Sequence, residues 1–265
     1  MTPSAVLEST RFHLRHAAFG VREQFSDLPS ALAANAIIPF FVWVLSRLWL
    51  RFNSAQGNFS LPEVVLYLGI TELLYMTFVR GPSVSRASSD FSISLSRPRS
   101  WLMTSLSGLV GRSLGGRFLM MAMLVLALPL LGAGMRNTLD AMLRLAVLLP
   151  WLALMQGLFA LSFAIAQVLW HQTNYFLLPF GKIFLVLGGV WGPVADFSEP
   201  WRATLLWLPP SDLFFQPAYF CVKGSFYATT PALWLLRTGA LAVVLSGANL
   251  RFFGMARRRH QSFGG

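Results

Sequence analysis

Three patterns in this chain have the residue types that chemistry needs. Gly181-Lys182 is the one Gly-Lys pair, the signature of a phosphate loop. That loop also needs Gly at position 176 and Ser or Thr at 183, where the chain has Phe176 and Ile183. No nucleotide hydrolysis is therefore expected of this chain. Gly111-Arg-Ser-Leu-Gly115 matches the Gly-x-Ser-x-Gly turn of hydrolases, which needs a strand before it and a helix after it. Here it opens an apolar run instead. An intramembrane serine hydrolase using Ser113 and His171 stays open as an alternative, because geometry and not pattern defines such a site.

The third pattern is a set of acids, Glu63, Glu72, Asp196, Glu199 and Asp212, in or near apolar segments. An ion-coupled carrier would place carboxylates near the membrane midplane, and only Glu72 approaches that depth. The four histidines are scattered, no His-Glu-x-x-His occurs, and Cys221 is the single cysteine. No metal cluster, intrachain disulfide or catalytic residue is assigned.

The elements that would carry these residues are apolar. The 265 residues are 55% hydrophobic and 12% charged, with a mean hydropathy of +0.59. A soluble domain carries about 25% charged residues, and several runs here reach the ~20 residues that cross a hydrocarbon layer. The expectation is an all-α integral membrane protein, a single transmembrane domain over 1–265 with six transmembrane helices. The spans fall at 30–50, 61–79, 113–133, 143–170, 175–191 and 231–253. An amphipathic interfacial helix over 4–28 precedes them, with Arg11, Arg15 and Arg22 at the headgroups. Short re-entrant or hairpin helices fill the proline-rich stretch 192–230 before the last span.

Within the spans, Glu72 should face protein or water, since facing lipid costs a few kcal/mol. Gly111-xxx-Gly115 and Gly188-xxx-Gly192 read as helix-packing motifs. The net charge of +11 reads as basic cytoplasmic loops and lipid headgroups, not nucleic acid. Counting Arg and Lys near span ends puts both termini and the 80–112 segment in the cytoplasm and 192–230 outside. The location expected is the plasma (inner) membrane, multi-pass.

The longest polar stretch joins the second and third spans. It carries Arg80, Arg86, Arg97, Arg99, Arg112 and Arg117 against one acid, Asp90. Arg112 and Arg117 fall at the mouth of the third span, near the headgroups, which leaves 85–99 as a contact surface.

The order of these features resembles a known family. The passages that carry the likeness are Ala34-Asn-Ala-Ile-Ile-Pro-Phe-Phe-Val-Trp43, Phe59-Ser-Leu-Pro-Glu-Val-Val-Leu-Tyr67, Ser92-Ile-Ser-Leu-Ser-Arg-Pro98 and the ending Arg257-Arg-Arg-His-Gln-Ser-Phe-Gly-Gly265. Together they are similar to the six-span permeases of type-2 ATP-binding-cassette (ABC-2) exporters, in the subfamily often encoded as paired permeases. The resemblance implies a non-enzymatic subunit that moves a substrate out of the cytoplasm. It binds no cofactor itself, and ATP and Mg belong to a partner ATPase subunit. A second permease, the same or a related chain, and membrane lipid are the other implied partners. Ser88, Ser89, Asp90, Phe91, Leu95, Arg97 and Pro98 would form the coupling segment that enters the ATPase. A membrane scaffold that transports nothing is the remaining alternative.

Overall fold

The computed structural model describes residues 3–26, 28–53, 59–79, 101–170 and 174–263, and every regular element among them is a helix. In chain order these are α1 (Pro3–Phe25), α2 (Leu28–Asn35), α3 (Ile37–Asn53), α4 (Leu61–Val79), α5 (Trp101–Leu128), α6 (Met135–Trp170), α7 (Asn174–Leu187), α8 (Trp201–Leu206), α9 (Pro209–Leu213), α10 (Phe215–Lys223) and α11 (Pro231–Phe263). A π-turn over Pro129–Ala133 extends α5, and a 3₁₀ turn over Val194–Asp196 precedes α8.

Four of these helices are long and apolar enough to cross a membrane: α4, α5 with its π-turn, α6 and α11. They fall at the expected second, third, fourth and sixth spans, and the last three are longer than expected. The helix of α5 begins at Trp101, so the last part of the expected 80–112 segment is helical. The expected first span is divided at Ala36 into α2 and the 17-residue α3. Pro39 has no N–H to close a bond onto the Asn35 carbonyl, so a helix stops at Asn35 and restarts with the proline in its first turn. The expected fifth span is the 14-residue α7, which ends where Gly189 takes a φ of +69°.

Interior and periphery separate clearly. The helix α4 packs on α3, α5, α6 and α10, and α6 packs on α5, α10 and α11. Leu68, Leu73, Leu74, Leu145, Leu149 and Leu152 of these two helices are fully buried. The reversal between α5 and α6 is tight because Gly132 and Gly134 adopt φ of +105° and +77°, a region that costs side-chain-bearing residues strain.

Chain contacts define the two ends of the bundle. At one end Trp101 stacks on Phe253, with ring centroids 5.8 Å apart, and joins Leu161, Ile165, Leu169 and Ala256 in a small apolar cluster. The N-terminal helix α1 also lies there, packed on α5. At the other end Lys223 of α10 pairs with Glu63 of α4 at 2.7 Å, and Glu63 accepts from the Ser60 N–H at 2.8 Å. Arg144 of α6 donates to the Cys221 carbonyl at 3.1 Å, in the last turn of α10.

The short helices α8 and α9 are fastened to α11. Arg237 pairs with Asp212 at 3.0 Å and donates to the Leu206 carbonyl at 2.7 Å, while the Trp234 indole donates to the Asp212 carbonyl at 3.0 Å. Burial pushes the Asp212 carboxyl up to about 6, with Arg237 pulling the other way. A carboxyl whose folded value exceeds its unfolded one contributes most stability when protonated. Its contribution is therefore full below pH ~4 and is lost as pH rises through about 6. Asp212→Asn should remove a pH-dependent contribution on the order of 2 kcal/mol, after allowance for screening, from unfolding measured between pH 4 and 7.5. An unchanged slope in the variant would count against a buried Asp212 carboxyl.

Candidate functional site

The one fully enclosed arginine among the described residues defines the site. Arg117 of α5 is 0% exposed, so it does not sit at the headgroups as its place beside the basic stretch suggests. It points inward to α4 and α6. Its Nε donates to Thr77 Oγ1 at 3.3 Å, Nη1 to the Leu149 carbonyl at 3.3 Å and Nη2 to the Leu152 carbonyl at 3.5 Å. Nη2 also donates to Gln156 Oε1.

The partners are themselves tied down. Gln156, 2% exposed, donates through Nε2 to the Leu74 carbonyl at 3.1 Å. Thr77 Oγ1 turns back to the Leu73 and Leu74 carbonyls at 2.9 and 3.1 Å. Pro150 lies between the two α6 carbonyls that Arg117 reaches. A proline there removes the bond to the Ala146 carbonyl and loosens the local ladder, which suits a turn that accepts extra donors.

This network lies inside the larger apolar cluster, near its border with the smaller one. On α5, Leu114 and Met120 on the larger cluster flank Arg117, and Leu109 further back belongs to the smaller. On α6, Met155 and Phe159 of the larger cluster flank Gln156, and Leu161 beyond them belongs to the smaller. Nearly two turns further on, Ser162 donates to Asn249 at 2.8 Å and Asn249 to the Leu158 carbonyl at 3.0 Å, which carries the polar contacts to α11.

No described carboxylate lies within ion-pair distance of Arg117. A buried guanidinium held only by neutral dipoles retains a desolvation cost of several kcal/mol. Each hydrogen bond from a charged donor returns about 1.5–3 kcal/mol. A charge kept inside a membrane-spanning bundle on those terms marks a functional position before it marks a stabilising one.

The other expected residues are placed as follows. Glu72 is 6% exposed, so protein encloses it, and it has no hydrogen bond or ion pair among the described residues. It lies five residues before Thr77, about 140° around the helix, away from the face that meets Arg117. The arginines Arg11, Arg15 and Arg22 are all exposed on α1. Their i, i+4, i+11 spacing makes one stripe, Leu14, Ala18 and Phe25 make the adjacent one, and Ala17 and Gly20 face α5. Ser88, Ser89, Asp90, Phe91, Leu95, Arg97 and Pro98 lie outside the described residues, as does His171.

Ser113 sits inside α5 with a buried hydroxyl that has no hydrogen-bond partner among the described residues, and helix from Trp101 onward, not strand, leads into it. Gly111 does serve close packing, since a Cβ there would collide with the Ala17 carbonyl of α1. Gly188 and Gly192 lie beyond the end of α7, against Phe214 and Trp49, so that spacing belongs to a turn and not to a helix face. Gly181-Lys182 lies within α7, where the Gly181 carbonyl accepts from Tyr75 at 3.2 Å. No group of three His, Cys, Asp or Glu among the described residues is arranged for a metal. The signal that could have found the polar layer was Gln156, an amide in the middle of a 36-residue apolar helix that must find a partner.

If the layer is held in this way, Gln156→Leu should destabilise by about 2–4 kcal/mol, because it leaves Arg117 short of an acceptor. The pair Arg117→Met with Gln156→Leu should recover most of that loss. Unfolding of the purified variants in detergent micelles measures both. Additive losses in the double variant would show that the two side chains do not interact.

Compared with known protein families and with curated proteins, the chain matches none.

Proposed function

We propose that this chain is the permease subunit of an ABC-2 type exporter, moving a substrate out of the cytoplasm on ATP hydrolysed by a separate subunit. The observation that carries the reading is the division of the bundle into two unlike ends. One end has α1 packed across α5, directly after the arginine-rich stretch 80–100. The other has the short helices α8 to α10 fastened to α4, α6 and α11. An energy-coupled permease needs that polarity: an input surface for the ATPase on one side and a movable element at the exit on the other.

In this reading α2 with α3, and α7, are the first and fifth of six spans, and α8 to α10 are the re-entrant element. The termini and 80–100 face the cytoplasm of a plasma (inner) membrane. The helix α1 lies in the interface plane, with Leu14, Ala18 and Phe25 toward the acyl chains and Arg11, Arg15 and Arg22 toward phosphate. Ser88 to Pro98 contact the ATPase, which holds the ATP and Mg. A second permease, identical or related, completes the path.

Closure of the ATPase pair would push the coupling segment and, through α5, tilt the half-bundle. The polar layer at Arg117 keeps α4, α5 and α6 moving as a unit. Glu72, buried in α4, is the one acid deep in these spans and the position from which a path could be lined.

Co-purification with an ATPase subunit, followed by ATPase rates in liposomes, tests this. Asp90→Ala and Phe91→Ala should each lower the permease-stimulated rate by about tenfold, the loss expected for a contact of roughly 1.4 kcal/mol. Unchanged stimulation after both substitutions would remove this segment from the coupling role.

A further inference from the structure

The crossing of α1 over α5 is unusually close. A Cβ on Gly20 would lie 2.8 Å from the Gly108 carbonyl and 3.0 Å from the Arg112 N–H, so the two backbones touch. Into this contact α1 brings His16. Its Nε2 lies 3.2 Å from where a Cβ on Gly108 would stand, and the Arg112 guanidinium comes within 3.9 Å of the same point. The imidazole and the guanidinium thus share the space above Gly108. Phe12 stacks on the other side of His16, with centroids 6.0 Å apart and planes 12° from parallel.

We propose that this crossing is a proton-sensitive seat, in which a proton taken up by the His16 imidazole puts a second cation beside Arg112 and lifts α1 from α5. The charges around His16 make the seat one-sided. On α5 the facing charge is Arg112; Arg117 is turned into the bundle. On α1 itself there are His13, whose Nδ1 is buried without a partner among the described residues, and Glu23, which pairs with Arg112 at 3.4 Å. The neighbouring α2 has no titratable side chain.

His16 is half-buried, and the crossing cannot widen to hydrate its covered side without losing the Gly20 and Gly111 contacts. Burial, then Arg112, then His13 hold His16 below its ordinary value of 6.5, and Glu23 opposes them. For a base lowered on docking, the docked state is fully favoured above the free value. It loses ground as pH falls from 6.5 through the lowered value. Mild acid on the side that holds α1 therefore releases it.

The test uses the full chain in lipid nanodiscs and reads the docking of α1, not transport, so it stands apart from the permease reading. Hydrogen exchange across α1, corrected for intrinsic rates, should be severalfold faster at pH 5.5 than at pH 7.5, with about tenfold the ceiling that one imidazole of free value 6.5 sets. His16→Gln should keep α1 protected at both pH values. Gly111→Leu should expose it at both, which gives the undocked reference. Histidine NMR titration of the unsubstituted chain reads the same group without a variant and should give His16 a midpoint below its ordinary 6.5. Equal protection of α1 at the two pH values would overturn the proposal. A His16 midpoint at or above the ordinary value, or a pH-dependent loss that persists in His16→Gln, would do the same.

Discussion

An arginine enclosed on all sides by an apolar bundle constrains everything packed around it. Arg117 brings a full charge among α4, α5 and α6, and each acceptor it finds fixes something else. Thr77 fixes the rotation of α4. The Leu149 and Leu152 carbonyls fix the turn of α6 beside Pro150. Gln156 is held at both ends, by the guanidinium and by the Leu74 carbonyl. Leucines can slide past one another at small cost, but this layer has one register, because a slip of a single turn would leave a buried charge unmet. The three helices are therefore best regarded as one body.

Around that body the fold is held by a different mixture of contacts at each end. At the end with α1 the contacts are steric, through Gly20, Gly108 and Gly111, and apolar, through Trp101 and Phe253, with one ion pair from Arg112 to Glu23. At the far end Glu63 pairs with Lys223 and Asp212 with Arg237, and Arg144 donates to the last turn of α10, around a buried apolar seat of Leu213, Phe214 and Phe215. No described residue of α1 belongs to the main apolar core, so α1 can part from the bundle with that core intact, whereas Leu213, Phe215 and Ala218 build α9 and α10 into it.

Much of this was legible in the sequence. Runs of apolar residues located α4, α5, α6 and α11, because hydropathy depends only on local composition. The prolines at 193, 200, 209, 210 and 217 announced short helices, and the spacing of Arg11, Arg15 and Arg22 announced a striped α1. What stayed hidden was pairing. Nothing near Arg117 in the chain distinguishes it from Arg112; what sets it apart is a glutamine 39 residues away. The Lys223–Glu63 pair spans 160 residues. Gly188 and Gly192 show the converse failure, since a spacing that packs helices has no such meaning once the helix has ended at Leu187.

The permease reading requires that α5 cross the bilayer, with the arginine-rich stretch at one face, the α5–α6 turn at the other and Arg117 sealed between. Labelling single cysteines from each side of sealed vesicles, with Cys221 replaced by Ser, tests this most directly. A cysteine at Ser88 should react from one side and one at Asn137 from the opposite side, while Arg117→Cys should resist reagent from both. Labelling of the Ser88 and Asn137 positions from the same side would contradict the crossing, and with it the polarity of input and exit built on it.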